Sequence, residues 1–394
     1  MAAGLILMRR LLTILTAIVL LVMSLAIGTV AADLPFWRRA LQLPLPADAL
    51  YLPVAVIGET TPPATTTMAP IPKPALEADR ALLEATVERA RAAGVRVLLA
   101  ARRGRVVLAR YLVADDEQTL LPAGLIARPL VAMAVGRAIA DGRIESLDTP
   151  VARYLPEWEG EPRGRITVRQ LLEDTSGLET GGEIHGVLRR SPWEDPAALP
   201  AFATGKGVRM LLGNDFANTA LRFQLEHEPG GFHHESPANA QLAALILERA
   251  TTVPYERYVD EMLWRPLGGG RAELTMDRRA GMPAAHCCWR ATAPDILRVV
   301  SLLATGGKQE GREILRSDWV REMTSPSRVN PDGGLQLKRV SVGGVPALSG
   351  GDDDGNTFWV FPERELAIVS IVNESGANWL DLPASLLRAF ADEE

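Results

Sequence analysis

Lysine is nearly missing from this chain, with four among 394 residues: Lys73, Lys206, Lys308 and Lys338. The positions three before them are Pro70, Ala203, Thr305 and Leu335, so Ser-x-x-Lys occurs nowhere. That excludes a serine nucleophile whose proton passes to a lysine one helical turn on. Gly-x-Ser-x-Gly is absent too, since neither Ser176 nor Ser349 has glycines two residues to both sides, which argues against a nucleophile-elbow enzyme. Cysteine is limited to the adjacent Cys287 and Cys288, so no loop-closing disulfide can form within one chain. Two small buried apolar residues are expected there, with a vicinal disulfide in an oxidising compartment as the alternative. A zinc site built from them is not expected, because only His286 adjoins them and the ligand spacing is missing. A net positive charge is also lacking: 42 Lys and Arg against 48 Asp and Glu leave a formal net charge of -6, and no basic stripe with interleaved aromatics occurs, which disfavours nucleic-acid binding.

What the chain does have is an ordinary globular composition, 47% hydrophobic and 23% charged. Arg9 and Arg10 precede an uncharged, mostly apolar run from Leu11 to about Ala32, close to the ~20 residues a bilayer-spanning helix needs. Residues 1–32 are therefore expected to be an inner-membrane anchor holding a periplasmic domain. If Val30-Ala31-Ala32 is a cleavage site, they are instead a signal peptide and the protein is secreted. Residues 33–75, rich in Pro and Thr, suit an extended spacer.

The globular domain is expected over residues 76–394. Leu76, Leu82, Leu83, Val87 and Ala90 repeat at helical spacing up to a stop at Gly94. Val95 to Ala100 and Val106 to Leu112 flank Arg102-Arg103-Gly104-Arg105, the pattern of a hairpin with a solvated basic turn. Further strands are expected only late, at Val340 to Leu348, Asn356 to Phe361 and Leu366 to Val372, with a final helix over about Leu382 to Ala391. Strands at both ends with helices between them imply an α+β fold, one antiparallel sheet built from N- and C-terminal strands around a large helical insertion.

A series of short segments carries a resemblance. In order they include Gly136 to Gly142, Leu147-Asp148-Thr149-Pro150-Val151, Tyr154-Leu155-Pro156-Glu157, Ile166 to Leu172 and Thr175-Ser176-Gly177-Leu178. Glu228-Pro229-Gly230, Asn239 to Leu242, Leu263 to Gly268 and Phe361 to Arg364 follow. Their order and spacing resemble the penicillin-recognising serine hydrolases, a β-lactamase-like group that includes class C β-lactamases, related esterases, D-amino-acid peptidases and 6-aminohexanoate-dimer hydrolases. The resemblance implies a nucleophilic Ser opening a buried helix with Lys three residues on, a Tyr-x-Asn or Tyr-x-Ser element, and a Lys- or His-led strand ending in Gly.

Gap-free counting puts these positions on Leu125 and Arg128, on Glu235 and Pro237, and on Leu348 of Leu348-Ser349-Gly350. Leu has no attacking oxygen, and Arg, with a pKa of about 12.5 or more, does not act as a base. No Tyr lies between Tyr154 and Tyr255. The expectation is a membrane-tethered pseudoenzyme that binds a small molecule or protein partner through a remnant cleft, with Arg128, His234, Glu235, Ser236, Ser349 and Gly350 as pocket candidates. Glu235 is expected to pair with Arg128. The alternative is a hydrolase acting through Ser236 with His234. No cofactor is expected. No metal is expected either, because His227, His233, His234 and Glu235 lack a His-Glu-x-x-His spacing. Thr175 to Leu178 are read as a structural turn, and Asp352-Asp353-Asp354 as a solvated loop.

Overall fold

A computed structural model describes residues 33–42, 52–58, 80–182, 204–352, 355–373 and 381–390, with scattered positions before residue 33. The chain opens with α1 (Leu34–Ala40) and β1 (Val54–Ile57), then α2 (Arg80–Ala92), β2 (Val95–Arg102), β3 (Arg105–Tyr111), β4 (Leu120–Pro122) and α3 (Gly124–Ala140). The helical insertion continues through α4 (Val168–Leu172), α5 (Lys206–Leu212), α6 (Phe216–Leu221) and α7 (Pro237–Thr251). After β5 (Ala272–Thr275) and β6 (Trp289–Thr292) come α8 (Ala293–Ala304), the short β7 (Lys308–Gln309) and β8 (Arg312–Glu313), and α9 (Ser317–Thr324). The C-terminal part supplies β9 (Lys338–Val342), β10 (Val345–Gly351), β11 (Thr357–Phe361), β12 (Leu366–Val372) and α10 (Asp381–Ala389).

The main sheet has six antiparallel strands in the order β3-β2-β12-β11-β10-β9, so distant ends of the chain meet at β2 and β12. The α+β reading holds. β12 is apolar and buried at every position, as suits the strand between two packed faces. One face carries α2 and α10, with Leu83, Val87, Leu386 and Phe361 in a common cluster. The other face packs against the larger core around α3 and α8. α3 is apolar on nearly all sides, the pattern of a helix surrounded by its neighbours.

Several expectations are corrected. The strand expected over Val340 to Leu348 is a hairpin: Gly343 and Gly344 both take positive φ, 58° and 85°, and turn β9 back onto β10. The spacer expected over residues 33–75 contains packed structure. Phe36 of α1 is fully buried against α5, with Val208 and Leu212 in the same cluster. β1 joins a second sheet, ordered β1-β5-β6-β4, that the sequence did not announce. Residues 43–51 and 59–79 lie outside the described residues.

The inner-membrane anchor is also overturned. Among the described residues no helix is long and apolar enough to cross a membrane, although most of residues 1–32 lie outside them. Hydropathy alone supported that expectation, whereas the continuous helix that follows, α1, packs into the globular body and carries Arg38 and Arg39. Finally, Cys287 and Cys288 form the vicinal disulfide rather than two packed thiols, where the backbone turns through a positive φ at Cys288 into β6.

Candidate functional site

Two strands of the second sheet aim the start of α3. β4 pairs with β6, Leu120 opposite Thr292 and Pro122 opposite Arg290, and the Ala123 N–H donates to the Trp289 carbonyl at 2.8 Å. Leu125 and Arg128 then stand three apart on one helical face. Leu125 is 1% exposed and buried in the core cluster.

Arg128 reaches into a cavity of about 290 Å³ between α3, the turn after α4, the segment before α7 and the β9–β10 edge. Its guanidinium is held on three sides. Nε donates to Gln336 Oε1 at 2.6 Å, one terminal nitrogen to Glu235 Oε2 at 3.3 Å, and the other to Asp174 Oδ2. This fork suits Arg and would not suit Lys, whose ammonium is a point charge. The second Asp174 oxygen accepts from Asn239 Nδ2 at 2.8 Å, and Asn239 Oδ1 accepts from Ser176 Oγ at 2.6 Å. Gln336 is pinned in turn, its amide donating to the Leu172 carbonyl at 3.0 Å. Lys338 Nζ lies 3.1 Å from Glu235 Oε1 and completes an alternating row of charges.

Burial works against the charge on Arg128, but the carboxylates of Asp174 and Glu235 outweigh it and raise its pKa. Burial also disfavours an ionised Glu235, yet Arg128 and Lys338 prevail and hold it below the usual carboxylate value. For Asp174 burial dominates and raises the pKa against the pull of Arg128 and Asn239. His286, near Arg128, has a fully buried Nε2 without a hydrogen bond, while its Nδ1 lies 3.3 Å from Gln241 Oε1. Burial, assisted by the Arg128 charge, lowers its pKa to about 3, so it is neutral at ordinary pH.

The expected pair of Arg128 and Glu235 is present, and Ser349 and Gly350 line the same cavity. Ser349 carries the sole hydroxyl on its described lining, and that hydroxyl donates to the Phe358 carbonyl at 3.0 Å. His234 and Ser236 are not part of the lining. Ser236 is 2% exposed and donates to the Glu179 carbonyl at 2.7 Å, while His234 Nε2 faces Glu226, so the expected Ser236–His234 pair does not form. Leu348 is buried in the core and Pro237 is the first residue of α7. Ser176, fully buried and bonded to Asn239, belongs to a structural turn as expected.

Sequence reasoning missed Asp174, Gln336 and Lys338. Asp174 and Gln336 both adopt positive φ, 55° and 57°, in short connections that no periodicity marks. The one available signal was Lys338, one of four lysines. A second cavity of about 370 Å³, bordered by Asp33, Lys206 and Arg209, lies apart from this network. Among its cations, Lys206 pairs with Glu179 and Arg209 with Asp33.

Comparison with known proteins gives a coherent result. The family model described as Beta-lactamase matches residues 80–393. A 6-aminohexanoate-dimer hydrolase of Paenarthrobacter ureafaciens is 27% identical over 288 residues, covering 71% of this chain and 68% of that protein. Esterase EstB of Burkholderia gladioli is 32% identical over 191 residues, 44% of this chain and 45% of the esterase. Among solved structures, a Bacillus anthracis protein provisionally described as a 6-aminohexanoate-dimer hydrolase superposes with a TM-score of 0.65 at 16% identity, covering 86% of this chain and 89% of that one. At that identity the likeness is one of fold.

Proposed function

The chain belongs to the beta-lactamase family, and from that premise we propose that it is a non-catalytic member which binds a small polar molecule in the cleft around Arg128. One observation carries the reading: the position expected for the family's lysine holds an arginine with its three nitrogens occupied by Gln336, Glu235 and Asp174. An arginine so held cannot take a proton from a nucleophile. The position expected for the nucleophile is the buried Leu125, and the one hydroxyl on the described lining, that of Ser349, is committed to a backbone carbonyl. Loss of the nucleophile alone removes most catalysis in linked catalytic groups.

The cavity, about 290 Å³, is close to the low end of small-molecule sites and favours a compact ligand over a protein segment. Its exposed charges, Glu235 beside Lys338, favour a ligand bearing both an anionic and a cationic or hydrogen-bonding group. Hydrolysis, named for the relatives, is theirs. The test is a screen of amino acids, short peptides and cyclic amides by ligand-observed NMR on the wild-type chain and on Glu235→Gln and Lys338→Ala. Binders weakened several-fold by either change support the cleft, and uniform insensitivity of every binder overturns it.

A further inference from the structure

Behind the loop that brings Glu235 to the cleft, Glu226, His227 and His234 converge on one point. One candidate donor atom from each lies within 4.8 Å of the others. Glu226 Oε2 is 3.3 Å from His234 Nε2, and the two imidazole rings stand 5.2 Å apart, nearly perpendicular. A tetrahedron with metal–ligand bonds of ~2.0–2.1 Å has edges of roughly 3.3 Å, so one edge is already in place. His234 Nε2 is buried and makes no hydrogen bond.

The backbone that carries these side chains is fixed rather than free. The N–H groups of Glu226 and His227 both donate to the Gly177 carbonyl, at 2.8 and 3.1 Å, and the His234 N–H donates to the Asp174 carbonyl at 2.7 Å. Gly230 N–H closes the loop onto the Thr175 carbonyl at 2.7 Å. Gly177 sits at φ 75°, with the His227 carbonyl oxygen 2.2 Å from where a Cβ would stand, so only glycine lets the loop approach this closely. The backbones of all three residues are thus anchored to the four-residue turn Asp174 to Gly177.

We propose that Glu226, His227 and His234 form a Zn²⁺ site. Two neutral imidazoles and one carboxylate are the borderline-hard donors that zinc accepts, and water would complete the coordination. The three residues lie outside the lining of the cleft, while their chain neighbours His233 and Glu235 face into it. Zinc there clamps the segment that presents Glu235 to Arg128, so metal and ligand binding reinforce each other.

The test uses the full chain, stripped with a chelator and titrated with Zn²⁺ by calorimetry, then with Co²⁺ by visible absorption. One metal per chain is expected, with visible d–d absorption that rises in step with the Co²⁺ bound. His227→Ala and His234→Ala should each weaken binding tenfold or more, while His233→Ala stays within threefold of wild type. Glu226 is half exposed, so Glu226→Gln should fold normally and still lose affinity several-fold, which separates a metal site from a folding defect. No binding to the folded wild type, or equal binding by all four variants, would overturn the proposal.

Discussion

Truncating Arg128 to Ala should destabilise the protein by about 3 kcal/mol. The Asp174 side chain is 8% exposed and relies on Arg128 for its counter-charge, and removing one partner of a buried ion pair costs about 3–5 kcal/mol. The lower end applies because Arg128 itself keeps 27% exposure and its second carboxylate, Glu235, is 43% exposed and screened by water. Arg128→Lys keeps the charge but cannot fork to Asp174, Glu235 and Gln336 together, so about half of that loss should remain. Urea unfolding at pH 7 measures both, read from the midpoint at constant slope. Combining Arg128→Leu with Asp174→Asn removes the stranded charge, and the pair should cost clearly less than the sum of the single changes. Since burial already raises the Asp174 pKa, the deficit of Arg128→Ala should shrink from pH 7 towards pH 5 as the carboxyl takes up a proton. A loss below about 1 kcal/mol, or additive behaviour of the double variant, would refute a buried clamp.

Three further outcomes follow from the same geometry. His286 is neutral when folded, with its pKa lowered to about 3, but protonates near pH 6.5 when unfolded, so stability should fall by up to about 1.4 kcal/mol per pH unit below 6.5. His286→Gln should flatten that slope in urea titrations at pH 6.5, 5.5 and 4.5. Asp277 is fully buried and accepts the Phe216 and Met282 N–H groups at 3.0 and 2.9 Å, so Asp277→Ala should lower stability by about 2–3 kcal/mol in the same assay. Glu235 has a lowered folded pKa, so its contribution is complete above its ordinary value near 4.5 and is lost as pH falls through the folded value. Glu235→Gln should accordingly narrow its difference from wild type below about pH 4.

The sheet was legible in the sequence because its strands are bounded by local punctuation. The β2–β3 hairpin turns at Arg103-Gly104, and β12 matches the expected Leu366 to Val372. The second sheet was hidden because β1 is four residues long, between Pro-rich stretches, and its partner β5 begins at Ala272. Within the cleft, counting along the chain located Arg128 and Glu235, since both sit at fixed offsets from recognisable segments. Asp174 and Gln336 escaped because left-handed kinks, rather than any repeating pattern, deliver them to Arg128. His234 and Ser236 were placed in the cleft by proximity to Glu235, and the alternation of an extended segment turned both away from it. The acidic run Asp352-Asp353-Asp354 is only partly described; Asp352 accepts from the Asn356 side-chain amide at 3.0 Å, and Asp353 and Asp354 lie outside the described residues.

The central claim is that the cleft around Arg128 has no nucleophile. It is tested most directly by incubating the folded full-length chain with a serine-reactive fluorophosphonate, and separately with a β-lactam, and reading the intact mass. An unchanged mass over hours is predicted, under conditions where a serine hydrolase that retains the Ser-x-x-Lys pair is fully labelled by the same probe. A stoichiometric adduct that maps to a residue lining the cleft would contradict the account and identify the nucleophile it denies.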